Sequence, residues 1–502
     1  EFNAATWLLD RHIEAGNGDR VAVRCFGESF SYAELLELTR RVSSGLRDLG
    51  VRPEERVAMV MVDTPEFIAT FLGAMRIGAI PVLTNPLLPG RDLGRIIADS
   101  RARVVVVSHE RADSVPAILN DAPELRHVVS TGDESLASGT TWSDFSVVSS
   151  NGAPYKTWRD SPGFWLCTSG TTGMPKLAMH THGDIVDTVD TYARSVLKIS
   201  AEDRCFSVGP MFHAYGLGNS LTFPLAVGAT SILEPTRPPT PALVANIVNT
   251  EQPTLFFCIP TFYAALTNSE LADDAFASVR LAVSAAEALP AETYTRFKER
   301  FGVTILDGIG STEMLHIFVS NTIERCEPGT SGVAVDGYDL RIVDDDGRDV
   351  PDGEPGTLLV KGSSAAVGYW SRSDMTRATF RGDWTATGDL YVKSDGGFYT
   401  YLGRADDMLR VGGEWVSPAQ VEGVLIEHAS VLEAAVVGEK DNDGVTRPTA
   451  YVISAPDATA DAEALTQWCR ERLAGYKRPK RYEIVTELPK TATGKIQRYK
   501  LR

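Results

Sequence analysis

The 502-residue chain reads as an α/β protein. A large N-terminal region of mostly parallel sheets flanked by helices contains a small β subdomain, and a smaller α+β domain follows it. Three observations carry this reading. Short β-branched runs alternate with helically spaced segments over most of the chain. From Gly329 to Asp389 the strands shorten and Gly/Asp turns multiply. After Asp406-Asp407 the pattern changes again, into a compact unit of mixed helix and strand.

Taken in order, Ser31-Tyr32-Ala33-Glu34 sets an N-cap serine three residues before a glutamate, a capping box that opens a helix. Residues 57–62 form a short apolar run that stops before Asp63-Thr64-Pro65, as a buried strand does. Residues 67–80 have helical spacing, and Val104–Val107 is a β-branched strand. Residues 149–154 cluster turn formers and predict a loop. Further strands are expected at 164–167, 230–233, 254–259 and 281–283. The β subdomain spans 329–402, with turns at Asp344-Asp345-Asp346-Gly347 and Pro351-Asp352-Gly353. The last unit carries a helix at 417–427, strands at 434–438 and 449–454, and a helix at 462–473. These patterns divide the chain into 1–402, a junction at 403–407, and 408–502.

Composition narrows the function. At 43% hydrophobic and 23% charged residues the chain is ordinary globular protein. With 49 Lys+Arg against 66 Asp+Glu its net charge is −17. That disfavours a main role on nucleic acid or anionic membrane, while leaving room for a small anion in a locally positive pocket. The six cysteines are scattered without a CxxC pair, so neither a zinc site nor a disulfide framework is expected, and a reducing cytoplasm fits. No apolar run reaches the ~18–20 residues that span a bilayer, and Glu1-Phe2-Asn3-Ala4 lacks the basic and apolar regions of a signal peptide.

Thr168-Ser169-Gly170-Thr171-Thr172-Gly173-Met174-Pro175-Lys176 follows an apolar strand. Its hydroxyls, glycines and lysine form a candidate anion cradle, in which backbone N–H groups approach a phosphate and Lys176 adds charge. A solvent-exposed Ser/Gly loop has the same composition. A Walker A loop is excluded, because Pro175 precedes Lys176 and Leu177 follows it.

This segment resembles the phosphate loop of the adenylate-forming superfamily: acyl- and aryl-CoA synthetases, luciferases and peptide-synthetase adenylation domains. The other family segments stand in the expected order. Gly310-Ser311-Thr312-Glu313 resembles the magnesium and phosphate motif. Trp384-Thr385-Ala386-Thr387-Gly388-Asp389 resembles the ribose motif, and Gly403-Arg404-Ala405-Asp406-Asp407 with Met408 to Glu414 resembles the hinge. Pro489-Lys490-Thr491-Ala492-Thr493-Gly494-Lys495 resembles the terminal catalytic-lysine motif. Residues 307–318 and 211–219 resemble the benzoate-CoA ligase branch.

The resemblance implies roles residue by residue. Lys495 stabilises the charge that builds as a carboxylate attacks the ATP α-phosphate. Glu313 holds Mg²⁺ bridging the phosphates, a hard oxygen ligand suited to that ion, and Thr312 contacts the α-phosphate region. Thr168, Ser169, Gly170, Thr171, Thr172, Gly173 and Lys176 cradle phosphate. Ser284, Ala285, Ala286, Glu287 and Asp307 form the adenine shelf, continued by Gly308, Ile309, Gly310 and Ser311. Asp389 and Arg404 grip the ribose. His213, with catalytic standing, joins Ala214, Tyr215, Gly308, Gly310, Leu315 and His316 at the acyl pocket. There the glycines are expected to let a flat ring slide on backbone, and Tyr215 with Phe256-Phe257 to supply aromatic walls. His316 is either a structural histidine or a hydrogen-bond partner for a ring substituent. Asp406 is the hinge about which the mobile C-terminal domain turns between half-reactions. Gly412 and Gly413 line a pantetheine tunnel or make an ordinary hairpin turn. Tyr476, Arg478 and Lys480 lie near the CoA phosphates, unless that basic run is only a solvated face. Arg410 stands where many relatives have lysine.

The implied reaction is ATP-dependent activation of benzoate or a substituted benzoate to an aryl-adenylate, then transfer to CoA, with Mg²⁺ as cofactor. The alternatives are an aryl-adenylating enzyme that loads a carrier-protein phosphopantetheine, or a fatty or arylacrylic acid CoA ligase. A degenerate nucleotide-binding regulator is disfavoured because Lys495 and Glu313 are both present. A homodimer is the base-rate expectation.

Overall fold

The structure, a computed structural model, describes residues 1–132, 139–147, 152–168, 175–405, 407–411, 414–441, 445–455, 458–490 and 496–501. Two large sheets form the N-terminal region. The first runs, in spatial order, Gly368–Tyr369, Lys176–Thr181, Pro162–Thr168, Ile80–Leu83, Arg56–Val60, Val104–Val107, His127–Ser130 and Thr140–Thr141. It is parallel from Pro162–Thr168 onward and antiparallel only across its first three strands. The second runs Val333–Ala334, Ile317–Ser320, Ile305–Gly310, Leu281–Ser284, Leu255–Cys258, Arg204–Ser207, Thr230–Leu233, Val21–Cys25 and Glu28–Ser31, with a parallel centre and antiparallel edges.

Parallel strands covered by helices on both faces should be apolar throughout, and all four residues of Val104–Val107 are buried. The helix Pro65–Arg76 is buried on nearly every side for the same reason. It lies against the helix Tyr32–Asp48, which opens with the expected Ser31/Glu34 capping box. A Cβ on Gly73 would come within 2.9 Å of Val42, so the two helices approach through a glycine. The expected helix over 67–80 ends early, at Arg76. Gly78 turns the chain at φ +76°, and Ile80 opens the strand Ile80–Leu83. Ile77, Ala79 and Ile80 are all buried, so no polar residue marks the change from helix to strand.

An antiparallel sheet built on Asp339–Val343, Gly356–Lys361, Trp384–Lys393 and Tyr399–Arg404 makes the small β subdomain. The C-terminal unit has its own core. Helices Pro418–Ile426 and Ala462–Arg472 accompany a sheet of Val431–Lys440, Thr446–Ser454 and Arg481–Ile484. The first two of these strands extend beyond the expected spans because they pair with one another along nearly their whole length. Among the described residues no helix is long and apolar enough to cross a membrane.

Candidate active site

The strands Pro162–Thr168 and Lys176–Thr181 pair antiparallel with Thr168 opposite Lys176, so they bracket the candidate phosphate loop. Ser169, Gly170, Thr171, Thr172 and Gly173 lie outside the described residues, as do Asp406, Gly412, Gly413 and Lys495. Lys176 Nζ stands 4.5 Å from the ring centroid of Tyr369. The Tyr369 hydroxyl donates to Glu313 Oε1 at 2.6 Å. Burial, together with the Glu313 charge, pushes the Tyr369 phenol well above its ordinary range.

Glu313 sits in the 3₁₀ turn Thr312–Met314, whose start is capped by Ser311 Oγ accepting from the Met314 N–H at 3.2 Å. A buried histidine ties this turn to the strand that leaves the phosphate loop. His180 Nε2 lies 2.8 Å from the Thr312 carbonyl oxygen, and Nδ1 lies 2.7 Å from Asp184 Oδ2. Asp184 also accepts from the Thr181 N–H at 3.1 Å, and the His180 ring stacks on Phe164 at 5.2 Å.

On the nucleotide side, Ser284 and Asp307 are partners on adjacent strands. The turn through Ala285, Ala286 and Glu287 holds Ala286 at φ +75°, a strained conformation for a residue with a side chain. Glu287 accepts from Thr261 Oγ1 at 2.9 Å. Burial pushes the Asp307 carboxyl up to about 8, with Ser284 and the N–H groups of Leu289 and Gly308 opposing the rise. Asp307 Oδ1 and Ser284 Oγ are both buried without completing a well-formed hydrogen bond. Such polar atoms fit the edge of a base. Asp389 and Arg404 face each other across two strands of the β subdomain. Arg404 Nη1 donates to Asp389 Oδ1 at 3.2 Å and to the Thr387 carbonyl at 2.9 Å.

The acyl-pocket candidates converge around His316. Its ring centroid lies 4.5 Å from that of Phe223, 5.2 Å from Tyr192 and 5.7 Å from Tyr215. Burial pushes its pKa down to about 3, so the imidazole is neutral. Neither ring nitrogen completes a well-formed hydrogen bond. Leu315, just before it, has φ +67°. The Tyr215 hydroxyl donates to the carbonyls of Val283 at 3.0 Å and Cys258 at 3.3 Å, which pins the ring to two strand ends. His213 is the N-cap residue of the short helix Ala214–Leu217.

One expectation about this pocket is overturned. Phe257 packs at 6.4 Å from Tyr215, but Phe256 points the other way and packs with Phe206, Tyr263 and Phe276. Successive strand residues face opposite sides of the sheet, so the pair cannot share one wall. On the side a Cβ would occupy, Gly308 and Gly310 meet neighbouring backbone. A Cβ on Gly308 would meet the Val319 carbonyl oxygen at 2.8 Å, and one on Gly310 the His316 carbonyl oxygen at 2.5 Å. Close approach of residues 316–320 therefore favours glycine at both positions.

In the C-terminal unit Tyr476 and Lys480 are exposed. The Arg478 guanidinium donates to the carbonyls of Leu473 at 2.8 Å and Arg470 at 3.0 Å, capping the end of a helix. Arg410 is exposed on the strand Leu409–Val411.

Several residues at the site escaped sequence reasoning. Tyr369 and His180 were hidden because the groups they reach, Glu313 and the Thr312 carbonyl, are remote in sequence, and Asp184 with them because it acts through His180. So were Asp63 and Arg237, a pair joined at 2.7 Å whose side chains are 3% and 9% exposed. Both Asp63 oxygens accept from the Met211 N–H, at 3.1 and 3.2 Å, and so anchor the start of the segment that carries His213 and Tyr215. The only local signal was the i,i+4 spacing of His180 and Asp184.

The two-sheet fold, its antiparallel subdomain and the Glu313 and Asp389/Arg404 segments it carries are those of an AMP-binding enzyme. The chain belongs to that family: the AMP-binding enzyme domain matches residues 9–370 and the AMP-binding enzyme C-terminal domain residues 420–495. It is 44% identical to the benzoate–CoA ligase of Thauera aromatica, covering 100% of this chain and 96% of that protein. It is 42% identical to the 4-hydroxybenzoate–CoA/benzoate–CoA ligase of Rhodopseudomonas palustris, covering 100% of this chain and 94% of that one. The crystal structure of the anthranilate CoA ligase AuaEII with anthranoyl-AMP superimposes with a TM-score of 0.96 at 38% identity, covering 100% and 96% of the two chains. A benzoate CoA ligase from Burkholderia xenovorans superimposes at 0.93 with 41% identity, and each chain is covered in full, 100%.

Proposed function

We infer that the chain is an ATP-dependent aryl-CoA ligase acting on benzoate or a substituted benzoate. Full-length identity of 44% to a benzoate–CoA ligase carries this reading. The site geometry agrees with it: a neutral polar histidine inside an aromatic cage stands beside a phosphate and metal motif. The carboxylate oxygen of the substrate attacks the α-phosphorus of ATP, the α–β bridging bond breaks, and pyrophosphate leaves. The CoA thiol then attacks the carbonyl carbon of the aryl-adenylate, AMP leaves, and the thiol proton is released.

No protein nucleophile is needed; positioning and charge do the work. Mg²⁺ usually takes one or two protein carboxylates and completes its shell with phosphate and water, so the single carboxylate of Glu313 fits it. When bound it neutralises charge on the departing pyrophosphate. We assign Lys176 and the loop before it to the phosphates, Asp389 and Arg404 to the ribose, and Asp307 with the Ser284–Glu287 turn to adenine. Lys495 is assigned to the adenylation transition state, and Gly412, Gly413, Tyr476 and Lys480 to CoA. For Arg478 the helix-capping bonds favour a supporting role at that surface. The segment 403–407, with Asp406, is proposed as the hinge between 1–402 and 408–502. A cytoplasmic location fits the six free cysteines, and a homodimer is the proposed assembly.

The test is pyrophosphate release with ATP and Mg²⁺ over a panel of aryl and alkyl carboxylates, each with and without CoA. Aryl-dependent release with conversion of CoA to thioester is expected. Adenylate formation that needs a holo carrier protein in place of CoA overturns the acceptor. Activity on fatty acids with none on the aryl panel overturns the substrate class.

A further inference from the structure

We propose that Tyr369 is a positioning residue of the adenylation half-reaction, fixing Glu313 and Lys176 together on the pyrophosphate side of the site. This rests on the proposed ligase reading for the reaction, but its binding test stands apart from the substrate.

Tyr369 lies in none of the segments that carried the family resemblance. It reaches the site through the fold: Gly368–Tyr369 pairs antiparallel with the strand leaving the phosphate loop, with Tyr369 opposite Ala178. Tyr369 is 4% exposed and its ring packs on Phe380 at 5.6 Å, so it has little freedom to move. From that fixed frame its two chemical faces meet two charged groups of opposite sign. The hydroxyl donates to Glu313 Oε1 at 2.6 Å, a charge-assisted hydrogen bond that sets the carboxylate plane. The π face lies 4.5 Å from Lys176 Nζ, within cation–π range. The backbone of the same segment adds a second tie, since the Ala366 N–H donates to the Glu313 carbonyl at 2.7 Å.

One aromatic side chain thus holds the metal carboxylate and the phosphate lysine at a set spacing. A partner that orients a metal ligand typically contributes about 10–100-fold in metal affinity or activity. The effect should be confined to steps that use the β- and γ-phosphates. On this proposal Glu313 and Lys176 act together on the β- and γ-phosphates, so AMP binding and attack of CoA on a finished adenylate are expected to be spared the loss of Tyr369.

The experiment compares wild type with Tyr369→Phe and Tyr369→Leu. MgATP and AMP binding are measured by calorimetry, the Mg²⁺ requirement by pyrophosphate release, and the second half-reaction from supplied benzoyl-adenylate and CoA. Tyr369→Phe should weaken MgATP binding and raise the Mg²⁺ requirement about tenfold. AMP binding and thioester formation should be unchanged, which also shows that the variant is folded. Tyr369→Leu should lose more MgATP affinity than Tyr369→Phe, and that extra loss should vanish in a Lys176→Met background. Wild-type MgATP binding and Mg²⁺ dependence in Tyr369→Phe would overturn the proposal. So would an equal loss of AMP binding and thioester formation, the mark of a merely structural tyrosine. If wild type released no pyrophosphate with any aryl acid, the ligase reading would fail, while the MgATP calorimetry would still decide the role of Tyr369.

Discussion

Asp307 and His316 are buried titratable groups whose burial acts on stability in opposite directions. Asp307 is raised from 3.8 to about 8, so the native state keeps a proton that the unfolded chain has lost. Its contribution is full below pH 3.8 and falls as pH rises toward 8. His316 is lowered from 6.5 to about 3, so the unfolded chain takes up the proton first. Its contribution is full above pH 6.5 and falls as pH drops toward 3. In nucleotide-free enzyme, Asp307→Asn should therefore flatten the decline of the urea midpoint between pH 5 and pH 8, measured by fluorescence; an unchanged slope would place the ionisation elsewhere. Lys495 belongs to this scale too. Its replacement by Ala should slow adenylate formation about 10²–10³-fold, read as pyrophosphate release, while supplied benzoyl-adenylate still yields thioester.

At the scale of the element, the site depends on ties between segments far apart in the chain. The Asp63–Arg237 pair is the clearest, because both side chains are almost fully buried and Asp63 also holds the Met211 N–H. Breaking a buried pair leaves an uncompensated charge and typically costs about 3–5 kcal/mol. Asp63→Ala should show that loss in urea denaturation and, in whatever native fraction remains, a raised KM for the aryl acid. A KM equal to wild type would mean that the His213–Tyr215 segment holds its place without the anchor. Gly310→Ala tests the hairpin between Ile305–Gly310 and Ile317–Ser320. The added methyl would sit 2.5 Å from a carbonyl oxygen, so the strands must part. The expected result is a lower melting midpoint together with weaker MgATP binding, since Glu313 lies in the turn between those strands.

At the scale of the molecule, the C-terminal unit has a separate core, and its last residues are held to it by Arg498. Arg498 donates through Nε and Nη2 to the two oxygens of Glu422, at 3.0 and 2.6 Å. This bidentate pair lies three residues beyond Lys495. Arg498→Ala should loosen the lysine-bearing segment, lowering adenylation at least tenfold while sparing thioester formation from supplied adenylate. Equal loss of both half-reactions would show instead that the whole C-terminal unit had unfolded.

What the sequence determined by itself was local or ordered along the chain. The Ser31/Glu34 cap, the β-branched strand Val104–Val107, and the helix and strand patterns of the last unit were legible because they depend on neighbours within a few residues. The family was legible because its segments are strings of residue types in a fixed order along the chain. The end of the helix at Arg76 was not, because unbroken apolar sequence carries the chain from helix into strand. The separation of Phe256 from Phe257, and the close packing at Gly308 and Gly310, depended on which face of a strand meets which neighbour. Tyr369, His180 and Arg237 find their partners 56, 132 and 174 residues away. Only tertiary structure could bring them there, because hydrogen bonds and ion pairs act over a few ångströms of space, whatever the distance along the chain.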